Sequence, residues 1–124
     1  MKAVARRSVV LALIFLAGCA QPGMAPVKGR VMFKGRPVPD AAVTFNPVPQ
    51  TQGALESGKP GTGWTNAEGQ FTLSTYKPYD GAFVGQHRVA VSLDDTNPVK
   101  CKRTKSVVLE VTPGGNEFDI EMDP

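Results

Sequence analysis

From Val27 onward the chain alternates in twos. Val27, Gly29, Val31 and Phe33 interleave with Lys28, Arg30, Met32 and Lys34, and His87, Val89, Val91 and Leu93 with Gln86, Arg88, Ala90 and Ser92. Successive side chains on a strand point to opposite faces, so each run reads as a ribbon with one dry side. The same rhythm marks Val43 and Phe45, Phe71 and Leu73 within Gln70 to Thr75, Val107-Leu109-Val111, and Phe118-Ile120-Met122 with Glu117, Asp119 and Glu121 outward. Gly63-Trp64-Thr65 makes a further short strand. No window from Val27 on has apolar residues at the three-four spacing of a helix. Turn chemistry separates the runs at Lys34-Gly35-Arg36-Pro37, Pro39-Asp40, Asn66-Ala67-Glu68-Gly69 and Pro113-Gly114-Gly115-Asn116. The pattern predicts an all-β, seven-stranded Greek-key β-sandwich, with hairpins at Gly63 to Thr75 and Ser106 to Met122.

The first residues follow another logic. Lys2, Arg6 and Arg7 precede the apolar run Ser8 to Gly18, the layout of a cleaved, helical signal peptide. The run is shorter than the roughly 20 residues a membrane span needs. It closes on Leu16-Ala17-Gly18-Cys19, which looks like a bacterial lipobox: small residues fit a protease cleft, and a thiol accepts diacylglycerol as a thioether. An ordinary secreted protein with a chance cysteine is the plainer alternative. The expected division is signal peptide 1–18, lipidated Cys19 with a tether to residue 26, and one domain over 27–124. Two or three acyl chains anchor firmly, at about 0.8 kcal/mol per buried CH₂. Ala20, a residue other than Asp after the cysteine, favours the outer membrane if the cell has one.

Charge narrows the partners. The chain has fourteen Lys and Arg against eleven Asp and Glu; losing Lys2, Arg6 and Arg7 with the leader leaves eleven of each sign. A neutral surface argues against nucleic acid, which demands a basic one. With Cys19 acylated, Cys101 has no partner for an internal disulfide.

Three segments, "VKGRVMFKGRPVPDAAVTF" (Val27 to Phe45), "TNAEGQFTL" (Thr65 to Leu73) and "GQHRVAV" (Gly85 to Val91), resemble the carboxypeptidase regulatory-like, transthyretin-like domains, as carried singly by small bacterial lipoproteins. The resemblance implies a prealbumin-like sandwich and transfers no catalytic residues. One enzymatic branch, a transthyretin-related hydrolase, uses several histidines, an arginine and a tyrosine-containing C-terminal motif. This chain has one histidine and ends Glu121-Met122-Asp123-Pro124.

Candidate sites are few. Trp64, Tyr76 and Tyr79 are a candidate platform for sugar rings or peptides, beside the long loop Val48 to Thr62 and the irregular stretch Tyr76 to Phe83. His87 is in phase with inward residues, and an open cleft around it is what a hydrolase requires. Cys101, within "KCKRTK", is expected to have its thiol pKa lowered by the flanking cations, which themselves suit anionic headgroups. Asp94-Asp95-Thr96-Asn97 offers oxygens to calcium without EF-hand spacing. No cofactor, catalytic set or zinc site is implied. The expected function is a non-enzymatic, lipid-anchored module at the cell envelope, with a structural role or a protein or glycan partner; the alternatives are the small hydrolase and calcium-assisted adhesion.

Overall fold

The computed structural model describes residues 23–49 and 58–124, which form two packed four-stranded β-sheets and a separate two-stranded ribbon, without a helix. In chain order the strands are β1 Met24–Ala25, β2 Val27–Phe33, β3 Arg36–Pro37, β4 Ala42–Pro47, β5 Gly61–Trp64, β6 Gln70–Thr72, β7 Ala82–Phe83, β8 Gly85–Ser92, β9 Thr104–Val111 and β10 Asn116–Glu121. Seven are the predicted ribbons. The additional β1, β3 and β7 are two-residue ladders, too short for a rhythm to announce them. The expected signal peptide and the expected lipid attachment at Cys19 lie outside the described residues.

In the first sheet β2 is central. β10 runs parallel along one edge, while β6 and β3 share the other, antiparallel. The second sheet is antiparallel throughout, in the order β5-β4-β8-β9. Phe45 of the second sheet meets Phe71 and Phe118 of the first at 6.4 and 5.8 Å between ring centroids, and the valines of β2, β4 and β8 complete the core. The expected tether shortens, because Met24 and Ala25 pair with Phe83 and Ala82.

Neither predicted hairpin forms as a paired two-stranded ladder: β5 pairs with β4 and β6 with β2, in different sheets. Around Asn66 to Gly69 the chain does reverse, and what links the two arms is a single bridge in which Thr62 and Ser74 exchange both backbone hydrogen bonds at 2.9 Å. The stretch Ser106 to Met122 is no hairpin. β9 pairs with β8, while β10 crosses to lie parallel to β2, its Asn116 amide bonded to the Pro26 carbonyl at 3.1 Å. Pro113 to Asn116 therefore arches between sheets.

The turn between β2 and β3 has two central residues, Lys34 and Gly35, with φ of 51° and 80°. Glycine tolerates that region; lysine is strained in it. Lys34→Asn is expected to stabilise the domain by about 0.5 to 1 kcal/mol. The check is a higher urea midpoint at unchanged slope.

Candidate functional site

The register defines two poles. One, called near, collects the N-terminal strand β1, the start of β5, the stretch Ser74 to Val84 and the arch before β10. The other, called far, collects the β2–β3 turn, Val38 to Ala41, Thr65 to Gly69 and Leu93 to Arg103. β5 leaves the near pole beside Thr75 and Gly81 and brings Trp64 opposite Ala42, toward the far one. Trp64 thus stands apart from the two tyrosines, and the three-aromatic platform does not assemble.

At the near pole Tyr76 meets Phe83 edge to face at 6.2 Å, and Lys59 Nζ lies 5.2 Å over the Tyr76 ring. The stretch Tyr76 to Phe83 is therefore in contact with the described end of the long loop, whose residues 50–57 lie outside the described residues. A carboxylate organises this pole: Asp80 accepts the amides of Thr75, Tyr76 and Lys77 at 2.7, 3.0 and 3.0 Å. Partial burial pushes its pKa up, but those amides outweigh it and hold the carboxyl below the ordinary 3.8. A depressed folded-state value contributes stability that is full above the unfolded value and lost as pH falls through the folded one. Heating the protein between pH 7 and 2 should therefore show a decline beginning near pH 4. Asp80→Asn should be less stable by about 1 kcal/mol at neutral pH and show a shallower decline.

His87 is wholly buried, opposite Pro47 and Leu109, its ring 5.5 Å from that of Phe45. Its Nε2 lies 2.7 Å from the Phe83 carbonyl, which only accepts, so Nε2 carries the hydrogen; Nδ1 has no partner among the described residues. The open surroundings that a hydrolase reading requires of His87 are not what the structure gives it, since the side chain is fully buried. The Cys101 expectation is also overturned. The thiol is half-buried against the core, and burial pushes its pKa up, with Arg103 only partly opposing. Lys100 and Lys102, its neighbours in sequence, are exposed. Asp94 spends Oδ1 on the Thr96 hydroxyl and amide, at 2.7 and 3.0 Å, which hold its carboxyl below the ordinary value. No grouping of three His, Cys, Asp or Glu among the described residues is placed to hold a metal.

The outer faces of the two sheets differ in kind. On the first, Lys28 stands beside Glu117 and Arg30 beside Asp119, the latter pair 3.6 Å apart. On the second, the rows read Trp64-Ala42-Ser92-Thr104 and Thr62-Thr44-Ala90-Ser106. These two rows hold no charge and present methyl and hydroxyl groups, and the first ends at an indole that is 69 % exposed. Sequence alternation shows that these residues point outward. It does not show that they share one face, because that depends on which strands pair.

A third feature escaped the sequence altogether. At the far pole a cleft of about 740 Å³ opens between the β2–β3 turn and the loop after β8. Its apolar walls are Phe33, Pro37, Pro39, Pro98 and Val99. Buried Asn97 ties them together, its side-chain amide donating to the Pro39 carbonyl at 2.7 Å and its oxygen accepting from Val99 at 3.1 Å. Both walls read as ordinary turns in sequence.

No family model and no curated protein matches the chain in sequence. Among solved structures it is similar to a DUF3823 family protein from Parabacteroides merdae, at 19 % identity and a TM-score of 0.51, over 81 % of this chain and 46 % of that one. The chain thus spans about half the length of that protein. It is also similar to the dioxygenase domain of a dioxygenase carbohydrate-binding protein fusion from the cellulolytic Streptomyces sp. SirexAA-E, at 21 % identity and a TM-score of 0.51, over 87 % and 84 % of the two chains. At these identities the likeness is one of fold, and the fold is a β-sandwich.

Proposed function

We propose that the chain is a lipid-anchored module of the cell envelope, of the carboxypeptidase regulatory-like kind, that binds a protein or glycan partner without catalysing a reaction. The observation carrying this reading is the distribution of exposed apolar side chains. Of the five large ones among the described residues, Tyr76, Tyr79 and Val84 are all at the near pole, where the chain emerges toward Cys19. Residues 20 to 23 reach at most about 14 Å, so an acylated Cys19 keeps that pole against the headgroups. Tyrosine, with an apolar ring and a polar tip, and lysine, with an apolar stem, suit that boundary; Lys59 and Lys77 stand among them. The outer membrane is the expected address where the cell has one.

The remaining two, Trp64 and Val108, are on the outer face of the second sheet, away from that boundary. The two uncharged rows beside Trp64 offer hydroxyls, methyls and one indole to a neutral partner, with Arg88, opposite Val108, the charge in the row beyond. A glycan strand has that chemistry, with hydroxyls at its edges and C–H groups on its faces. Against catalysis stand the burial of His87 and the raised pKa of Cys101.

The experiment has two arms. Mass spectrometry of the native protein should find an acylated Cys19 at the N-terminus, and Cys19→Ala should move the chain out of the membrane fraction; an unmodified chain that stays in that fraction sinks the anchor. Trp64→Ala should reduce retention on insoluble envelope glycan at least tenfold with the fold intact. Equal retention would instead assign the partner to another surface.

A further inference from the structure

We infer that the far-pole cleft binds an organic carboxylate with a compact apolar body. This goes beyond the proposed module and is independent of the Trp64 face. Small-molecule sites are typically concavities of about 300 to 1,000 Å³ with mostly apolar walls and a few placed polar groups. The cleft has about 740 Å³ and such walls, and its polar lining is all of one sign: Lys34, Arg36 and Lys100.

None of those three cations has an ion-pair partner among the described residues, whose two salt bridges are Arg30 with Asp119 and Lys105 with Asp123. No carboxylate lines the cleft. The carboxylate of Glu121 accepts the Lys34 backbone amide at 2.9 Å and is not part of the lining, so the three cations converge on one apolar hollow with no acidic side chain inside it. Lys34 Nζ is 5.3 Å over the Phe33 ring, the charge lying directly above the apolar wall. A ligand carboxylate at the mouth meets two ammonium groups and a guanidinium whose fork matches its two oxygens. The ligand's apolar body then lies on Phe33 and the prolines.

The walls are stiff. Pro37, Pro39 and Pro98 fix three backbone angles, and Asn97 fastens one wall to the other. A preformed hollow loses little freedom when filled, so a ligand of about a dozen heavy atoms gains usable affinity there. A neutral analogue forgoes the rim, a cationic one is repelled by it, and inorganic phosphate forgoes the walls.

The test is calorimetric titration of the full chain in phosphatidylcholine nanodiscs, with empty discs subtracted, using 2-naphthoate, 2-naphthalenemethanol and inorganic phosphate as probes. 2-Naphthoate should bind at least tenfold tighter than either other probe and weaken with added salt. Lys34→Gln, Arg36→Gln and Lys100→Gln combined should reduce its affinity at least tenfold at unchanged melting temperature. Trp64→Ala should leave it unaltered. If the triple variant does not fold, Lys100→Gln alone, in the loop, serves with an expected threefold loss. Equal binding of the acid and the alcohol, or undiminished binding to the folded variants, or no binding at millimolar acid, overturns the inference.

Discussion

Gly29→Val should destabilise the domain by about 3 kcal/mol or more, a large share of the 5 to 15 kcal/mol that holds a domain this size together. Gly29 is on the inner face of β2, opposite Phe71 of β6 on one side and Phe118 of β10 on the other. A Cβ placed there would run into the Phe118 carbonyl oxygen and come within 2.7 Å of the Phe71 ring. Both rings lean on Phe45, so the space a side chain at 29 would occupy is already filled by the aromatic cluster. Accommodating valine means moving backbone, and the backbone in question is the parallel pair that attaches β10. Strand propensity argues the other way, since valine outranks glycine by roughly 1 kcal/mol. The sign of the change in urea midpoint therefore decides between local preference and packing. Gly115→Ala, with open space at its Cβ, is the control and should be near neutral. A Gly29→Val protein as stable as the parent would mean that the β2–β10 contact is looser than described.

Gly29 also shows how far the sequence could be read. Alternation placed it inward among Val27 and Val31, and the structure agrees, because which face a residue takes depends only on its parity. Pairing partners are another matter. Pro113 to Asn116 has the composition of a hairpin loop, but composition does not say whether the next strand returns to its neighbour or crosses to the other sheet. The crossing is fixed by Asn116, whose side chain accepts from Thr112 and donates to the Pro26 carbonyl 90 positions away. The cleft was hidden for the same reason, being assembled from Phe33 to Pro39 and Pro98 to Lys100, segments that are each unremarkable alone. The candidate platform of Trp64, Tyr76 and Tyr79 does not assemble because β5 carries Trp64 away from the tyrosines along the sheet.

Thr65→Val should destabilise by about 2 to 4 kcal/mol, lowering the melting temperature by roughly 10 to 20 °C. The two residues have nearly the same shape, so the loss isolates one hydroxyl. Thr65 Oγ1 donates to the Val38 carbonyl at 2.7 Å and accepts the Ala41 amide at 2.8 Å, and Val38, Ala41 and Thr65 are all buried. The backbone adds two more bonds between the same segments, Asp40 to the Thr65 carbonyl at 3.1 Å and Thr65 to the Ala41 carbonyl at 3.0 Å. The hydroxyl thus fastens the stretch "GRPVPDA" to "TNAEGQF", two of the three segments that read as familiar in sequence, and the fastening is what lets a proline-rich turn sit over the core. Removing it leaves a buried carbonyl and a buried amide unpaired, each a loss of about 1 to 3 kcal/mol, partly offset by the apolar gain of the extra methyl. Thr65→Ser retains the hydroxyl and forfeits only a methyl, so it should recover most of the stability. Because Pro39 belongs both to that fastened turn and to the cleft wall, Thr65→Val should also weaken 2-naphthoate binding while Thr65→Ser does not. A valine variant that melts with the parent would show that the turn is held by its backbone bonds alone.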